Sequence, residues 1–164
     1  MIWFTADQHF DHENIIEYCK RPFKNVSEMN RVIEGRFNSR VCPTDIVYFI
    51  GDISLSKSPF LIERFINRLN GIKFLILGNH DKLNPFDYVD IGFVSVHTSL
   101  EKEGIVMVHD PAISCVDRSK PFLCGHIHEL FRVQKNVINV GVDVWDFFPV
   151  SLTQIVELRN GEVK

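Results

Sequence analysis

Short oily runs, each stopped by a polar cluster, set the pattern of this chain. Six stand out, at residues 2–6, 45–50, 73–78, 92–96, 104–108 and 120–125. They are rich in Val, Ile and Phe and barely alternate with polar residues. That predicts strands, several of them buried on both faces. Other segments carry helical spacing. Residues 27–41 put Met29, Val32, Ile33 and Phe37 on one face, with Ser27 placed as an N-cap. Residues 58–71 align Leu61, Ile62, Phe65, Ile66 and Leu69; Ser58 caps, Pro59 suits the first turn and Gly71 follows the end. The early order is β-α-α-β-α-β, which calls for parallel strands with crossover helices. Later, residues 131–143 and 151–164 read as antiparallel strands with turns, Asn160-Gly161 being a hairpin signal. The expected class is α/β: a mixed sheet or two facing sheets, helices outside, in one domain over residues 1–164.

The polar residues gather where the strands stop. Asp7-Gln8-His9 follows the first run, Gly51-Asp52 the second and Gly78-Asn79-His80-Asp81 the third. His109 follows 104–108, and Gly125-His126-Ile127-His128 follows 120–125. In open α/β sheets, ligands bind beyond the carboxyl ends of strands. Asp7, His9, Asp52, Asn79, His109, His126 and His128 are therefore candidate metal ligands. Seven ligands are too many for one tetrahedral ion. They suit two ions about 3.5–4 Å apart with one carboxylate shared. Nitrogen and oxygen donors without thiolate suit Mn, Fe, Zn or Ni, and calcium would want more oxygens. Gly51, Gly78 and Gly125 each precede a candidate ligand, where a missing Cβ permits a sharp turn and close backbone approach.

The ordered set "DQH" 7–9, "GD" 51–52, "GNHD" 78–81, "VMVHDP" around His109 and "GHIH" 125–128 resembles the calcineurin-like metallophosphoesterase superfamily. One block alone would be weak; five in order, each after a strand, are specific. The stretches at 1–23 and 139–151 also resemble a small bacterial and phage branch without cap or accessory domains. The resemblance implies a four-layer α/β/β/α sandwich with mixed sheets, and dinuclear phosphoester hydrolysis. By matching position, Asp7, His9 and His128 would hold one ion, Asn79, His109 and His126 the other, and Asp52 would bridge them. Manganese is the favoured metal. His80 would be the substrate-facing, non-ligating histidine, acting as acid while a metal-bridging hydroxide attacks in line. Two divalent ions, two carboxylates and a hydroxide leave a charge of about +1 for a phosphate. Asn79, as a neutral ligand, preserves that charge. The favoured substrate is a small phosphodiester or a nucleotide. The alternatives are a nuclease or phosphomonoesterase on the same site, and a non-catalytic protein-binding scaffold, which intact ligands disfavour.

Several residues keep two readings. Asp81 is a second catalytic candidate: it either orients the His80 imidazole or accepts backbone N–H groups in the turn. His12, Asn14 and Arg21 are candidate substrate contacts, or else begin the next helix. Trp145, in "GVDVWDFFP" with Asp143 and Asp146, either shelves a substrate group or closes the core. Phe147 and Phe148 suggest a pocket wall or dimer contact, and His97 fits no motif.

Composition narrows the partners. A net charge of -3 over 164 residues gives no extended basic surface for nucleic acid. Cys19, Cys42, Cys115 and Cys124 form no CxxC pair and read as reduced thiols in a cytoplasmic protein. No apolar run approaches the ~20 residues of a membrane span, and the first residues are too soon polar for a signal peptide.

Overall fold

The computed structural model describes residues 1–112 and 119–160. In chain order its elements are β1 (Ile2–Thr5), α1 (Ile15–Tyr18), α2 (Val26–Asn38), β2 (Ile46–Ile50), α3 (Pro59–Ile66) and β3 (Ile72–Ile76). Next come α4 (Pro85–Asp90), β4 (Phe93–His97), β5 (Ser99–Lys102), β6 (Ile105–Val108) and β7 (Phe122–Cys124). The chain continues through β8 (Val133–Gln134), β9 (Val137–Asn139), a 3-10 turn at Val142–Val144, β10 (Val150–Ser151) and α5 (Leu152–Asn160).

Ten strands form two mixed sheets with flanking helices, so the chain is α/β. The first sheet has the order β10-β1-β2-β3-β4, the second β5-β6-β7-β9-β8. Strands β1 to β4 run parallel, with β10 antiparallel to β1. In the second sheet β6, β7 and β9 run parallel, and β5 and β8 close the edges antiparallel. Alternate residues of the first sheet enter different cores. Phe4, Tyr48, Ile50 and Ile76 meet Ile105, Met107, Leu123 and Ile138 of the second sheet. Trp3, Val47, Phe49 and Leu75 face the other way, onto Met29, Ile33 and Phe37 of α2 and Ile62, Phe65 and Ile66 of α3. This double burial is why the runs read as continuously apolar. The outer face of the second sheet buries Val106, Val108, Phe122 and Cys124, with Ile127 and Val137 packed against them. No helix among the described residues joins that third cluster.

The antiparallel pairing expected within 131–143 is present as β8 and β9. The strand expected over 151–164 is not. After two residues of β10 the chain turns into α5. The cause is local: Gln154 N–H donates to Ser151 Oγ (3.2 Å) while Ser151 N–H donates to Gln154 Oε1 (2.9 Å). That reciprocal pair is a capping box. It starts a helix whose Ile155 enters the inter-sheet core beside Leu152 and Leu158. Gly161 of the expected hairpin lies outside the described residues. The α2 cap is likewise Asn25 rather than Ser27: Asn25 Oδ1 accepts from Glu28 N–H at 2.9 Å, and Glu28 reaches back to Lys24 N–H at 2.8 Å. Ser58 does sit at the α3 N-cap, without a side-chain bond, and Pro59 opens the helix.

The parallel strands of both sheets end at one edge. Ala6, just past β1, bridges to Gly141, just past β9, and its N–H donates to Val140 O at 3.1 Å. Asp7 N–H reaches Gly51 O beyond β2 (3.0 Å), and Gly125 N–H reaches His109 O (3.1 Å). The exits of β1, β2, β3, β6, β7 and β9 therefore crowd together. Among the described residues no helix is long and apolar enough to cross a membrane.

Candidate metal centre

Two groups of side chains converge at this edge. Asp7, His9 and His128 form one; Asp52, His109 and His126 form the other. Within each, the ligand atoms lie within 4.8 Å of one another. Asp52 stands between them: its Oδ2 is 3.6 Å from His9 Nε2 and 3.2 Å from His109 Nε2. Asn79 Oδ1 completes the second group, 3.1 Å from His109 Nε2 and 2.8 Å from His126 Nδ1.

Backbone conformation makes the convergence possible. Asp7, His9, Asp52, His126 and His128 all have positive φ, between 45° and 71°. Non-glycine residues seldom occupy that region, and strain of this kind gathers at functional sites. Gly51 shows how tightly the exits pack. At φ +83°, a Cβ there would lie 2.5 Å from His109 Nδ1 and 2.6 Å from Gly78 Cα.

The electrostatics of the site would suit a cation. His9 is buried, and neither of its ring nitrogens has a hydrogen-bond partner. Burial drives its imidazole down to about 2, so a lone pair faces the site at neutral pH. An unsatisfied buried polar group costs about 1–3 kcal/mol; a metal ion would offset that. His109 donates through Nδ1 to Ile50 O at 2.8 Å. A neutral His109 therefore turns the Nε2 lone pair onto the oxygens of Asp52 and Asn79. Only a proton or another cation relieves that clash. Burial opposes the proton, yet the bond and charge of Asp52, with Asp7, carry His109 up to about 9. Burial lifts Asp7 to about 6, against His109 and His128. Burial also works to raise Asp52, but His109 and the His80 N–H outweigh it and bring the carboxyl to about 2. These donors, nitrogen and oxygen with one carboxylate in the middle, fit two divalent ions.

A buried arm orients His128. Its Nδ1 donates to Asp143 Oδ2 at 3.0 Å. Burial works to lower this imidazole, but Asp143 and Cys19 carry it to about 10. Asp143 is gripped in turn by Arg21, whose Nε and Nη2 reach its two oxygens at 2.7 and 2.9 Å. The same guanidinium donates to Asp7 O (2.8 Å) and Gln8 O (3.0 Å). Arg21, expected beside substrate, is thus a buried clamp joining β1's exit to the 3-10 turn. Asp143 carried no assigned role in the sequence. Residues 122 positions apart met only through folding.

The remaining candidates separate. His80 lines the open cleft, its ring edge-on to His9 with centroids 5.4 Å apart. Its backbone N–H donates to Asp52 Oδ1 at 2.8 Å. Asp81 turns away from the cleft and accepts from Asp52, Gly78 and Ile53 N–H at 2.8–3.0 Å. Of its two readings, the structure takes the backbone brace. His12 lines the cleft beside His9, and its ring centroid is 5.4 Å from that of His9. Asn14 stands at the N-cap position of α1 without a side-chain bond, is exposed and is not among the cleft residues. Trp145 takes the core reading: it packs against the inter-sheet cluster, its Nε1 donates to Asn139 O at 2.7 Å and Arg132 stacks on it at 4.5 Å. Phe147 is buried against Phe23, and His97 bonds Ser95 within β4. Cys19, Cys42 and Cys124 are free thiols; Cys115 lies outside the described residues. The ligand atoms of Cys19, His128 and Asp143 also lie within 4.8 Å of one another, but Asp143 is already committed to Arg21.

No family model matches the sequence. The chain is 26% identical to the "Gene 66 protein" of Mycobacterium phage L5, over 96% of this chain and 93% of that one. A crystal structure described as a protein of unknown function, AQ665 from Aquifex aeolicus, shares the fold with a TM-score of 0.74 and 25% identity, over 96% of this chain and 98% of its own. The uncharacterized protein MJ1445 of Methanocaldococcus jannaschii is 36% identical over 99% of this chain and 93% of its own. At that identity over nearly the whole of both chains, the protein belongs to the same family as MJ1445.

Proposed function

We propose that the protein is a dinuclear-metal phosphoesterase of the calcineurin-like type, acting on small phosphodiesters or nucleotides. The observation that carries this reading is the two ligand groups sharing Asp52, beside a histidine, His80, that lines the cleft. On this reading the two facing sheets are the inner layers of the α/β/β/α sandwich, and α2 and α3 form one outer layer. The other outer layer has no helix among the described residues.

Two divalent ions, manganese by preference, would supply positive charge for the phosphoryl oxygens and a water of lowered pKa. Asp7, His9 and His128 would hold one; Asn79, His109 and His126 the other; Asp52 both. Asn79 contributes an oxygen without a charge, which leaves more positive charge for the ester. His80 is held at its backbone by Asp52, so its imidazole stays at the cleft wall to protonate the leaving oxygen. Asp81 fixes the turns carrying Asp52 and Gly78. The Arg21–Asp143 arm keeps His128 in one tautomer.

A panel of aryl phosphate mono- and diesters, cyclic nucleotides and short DNA, tested with Mn, Fe, Zn and Ni, checks the reading. Turnover of the small diesters is expected, and no turnover with any metal would sink it.

A further inference from the structure

The cleft beside the ligand groups is about 530 Å³. Its histidine side is the site already described, but its outer walls have no part in that chemistry. From α1 come Ile15 and Tyr18; from the loop after β7 come Ile127, Glu129 and Leu130. Tyr18 is 67% exposed and Leu130 74% exposed, so neither is held in place by core packing. No lysine or arginine among the described residues lines the cleft, and its one carboxylate, Glu129, brings negative charge. Arg21 and Arg132, the arginines that follow Tyr18 and Leu130 in sequence, spend their guanidinium groups on Asp143 and on backbone carbonyls.

A cleft reading a nucleic-acid strand or a polyphosphate would set cations along the path of the extra phosphates. Among the described residues, the outer walls of this one offer apolar and aromatic surface and one repelling charge. We infer that the substrate carries a single phosphate, whose leaving group is flat and apolar. Tyr18, Ile127 and Leu130 grip that group, and Glu129 turns away a second anion. The inference rests on the phosphoesterase reading and gives it a substrate class. Because His80 lines the same cleft, the gripped group is the one it protonates.

The test uses methylphosphonate, phenylphosphonate and 4-carboxyphenylphosphonate, which share the anchoring group and cannot be hydrolysed. Their binding to the Mn-loaded protein is measured by calorimetry, alongside hydrolysis of bis(p-nitrophenyl) phosphate. Phenylphosphonate is expected to bind about tenfold tighter than methylphosphonate, with the carboxyphenyl compound weaker than phenyl. In the double variant Tyr18→Ser/Leu130→Ser the phenyl-to-methyl ratio should collapse to about one; both residues are exposed, so folding should survive. Glu129→Gln should bring the carboxyphenyl compound level with phenyl. Equal binding of methyl and phenyl, or a ratio that survives the double variant, would overturn the inference. Hydrolysis without phenyl preference defeats this inference alone. Phenyl preference without hydrolysis defeats the phosphoesterase reading instead.

Discussion

A buried imidazole ordinarily finds a hydrogen-bond partner, and His9 has none on either ring nitrogen. Asp52 Oδ2 is set between His9 and His109, where one carboxylate could serve a metal pair. Replacement of each residue should separate their roles. His80→Ala should lower kcat by about 10²–10⁴-fold while elemental analysis still finds two ions per chain; a lost ion would make His80 a ligand. Asp52→Ala should weaken both ions together. Arg21→Met should weaken the ion at Asp7, His9 and His128 about 10–100-fold, the usual cost of removing a ligand's support. If calorimetry shows both ions bound as before, the Arg21–Asp143 arm does not position His128. The candidate ligands are legible because each follows a strand within a few residues. Arg21 and Asp143 were not, since a buried ion pair across 122 positions leaves no local pattern. Nor does sequence spacing reveal that five of the candidate ligands adopt positive φ, although Asp and His tolerate that region better than most residues.

Among the elements, the strands read best. Burial on both faces left a continuous apolar signal in β1, β2 and β3. Their parallel order then explains why the ligand blocks meet: parallel neighbours end on the same side. The C-terminal helix was misread because α5 is short and begins directly after a strand. Its signal lay in Ser151 and Gln154, three apart, rather than in its apolar residues. Ser151→Ala removes that capping box and should cost about 1 kcal/mol. Thermal unfolding should show a Tm drop of about 2–4 °C, with metal content untouched. An unchanged Tm would mean that Ile155 packing alone sets the helix. The first exit is also an element-level device: Ala6 ties β1 to β9, so the two sheets share the edge where the candidate ions would sit.

At the scale of the whole molecule, neighbouring carboxylates hold the proton on two imidazoles of the candidate site against the cost of burial. His109 and His128 are raised to about 9 and about 10, from an ordinary 6.5. Their folded pKa exceeds the unfolded one, so their stabilisation is complete below pH 6.5 and is lost as pH rises through 9 and 10. The Tm of metal-free protein should therefore fall between pH 7 and pH 10. Bound metal needs neutral imidazoles, so Mn binding should release protons, and its affinity should climb over pH 7–9. A metal-free Tm that stays level or rises across that range would contradict the assignment. The net charge of -3 agrees with a site that attracts phosphate through its ions rather than through a basic surface. The measurement that bears most directly on the account is a titration of chelator-stripped protein with Mn, following bound metal and bis(p-nitrophenyl) phosphate hydrolysis together. Hydrolysis should appear with Mn and level off at two ions per chain. Two ions bound with no hydrolysis would contradict it.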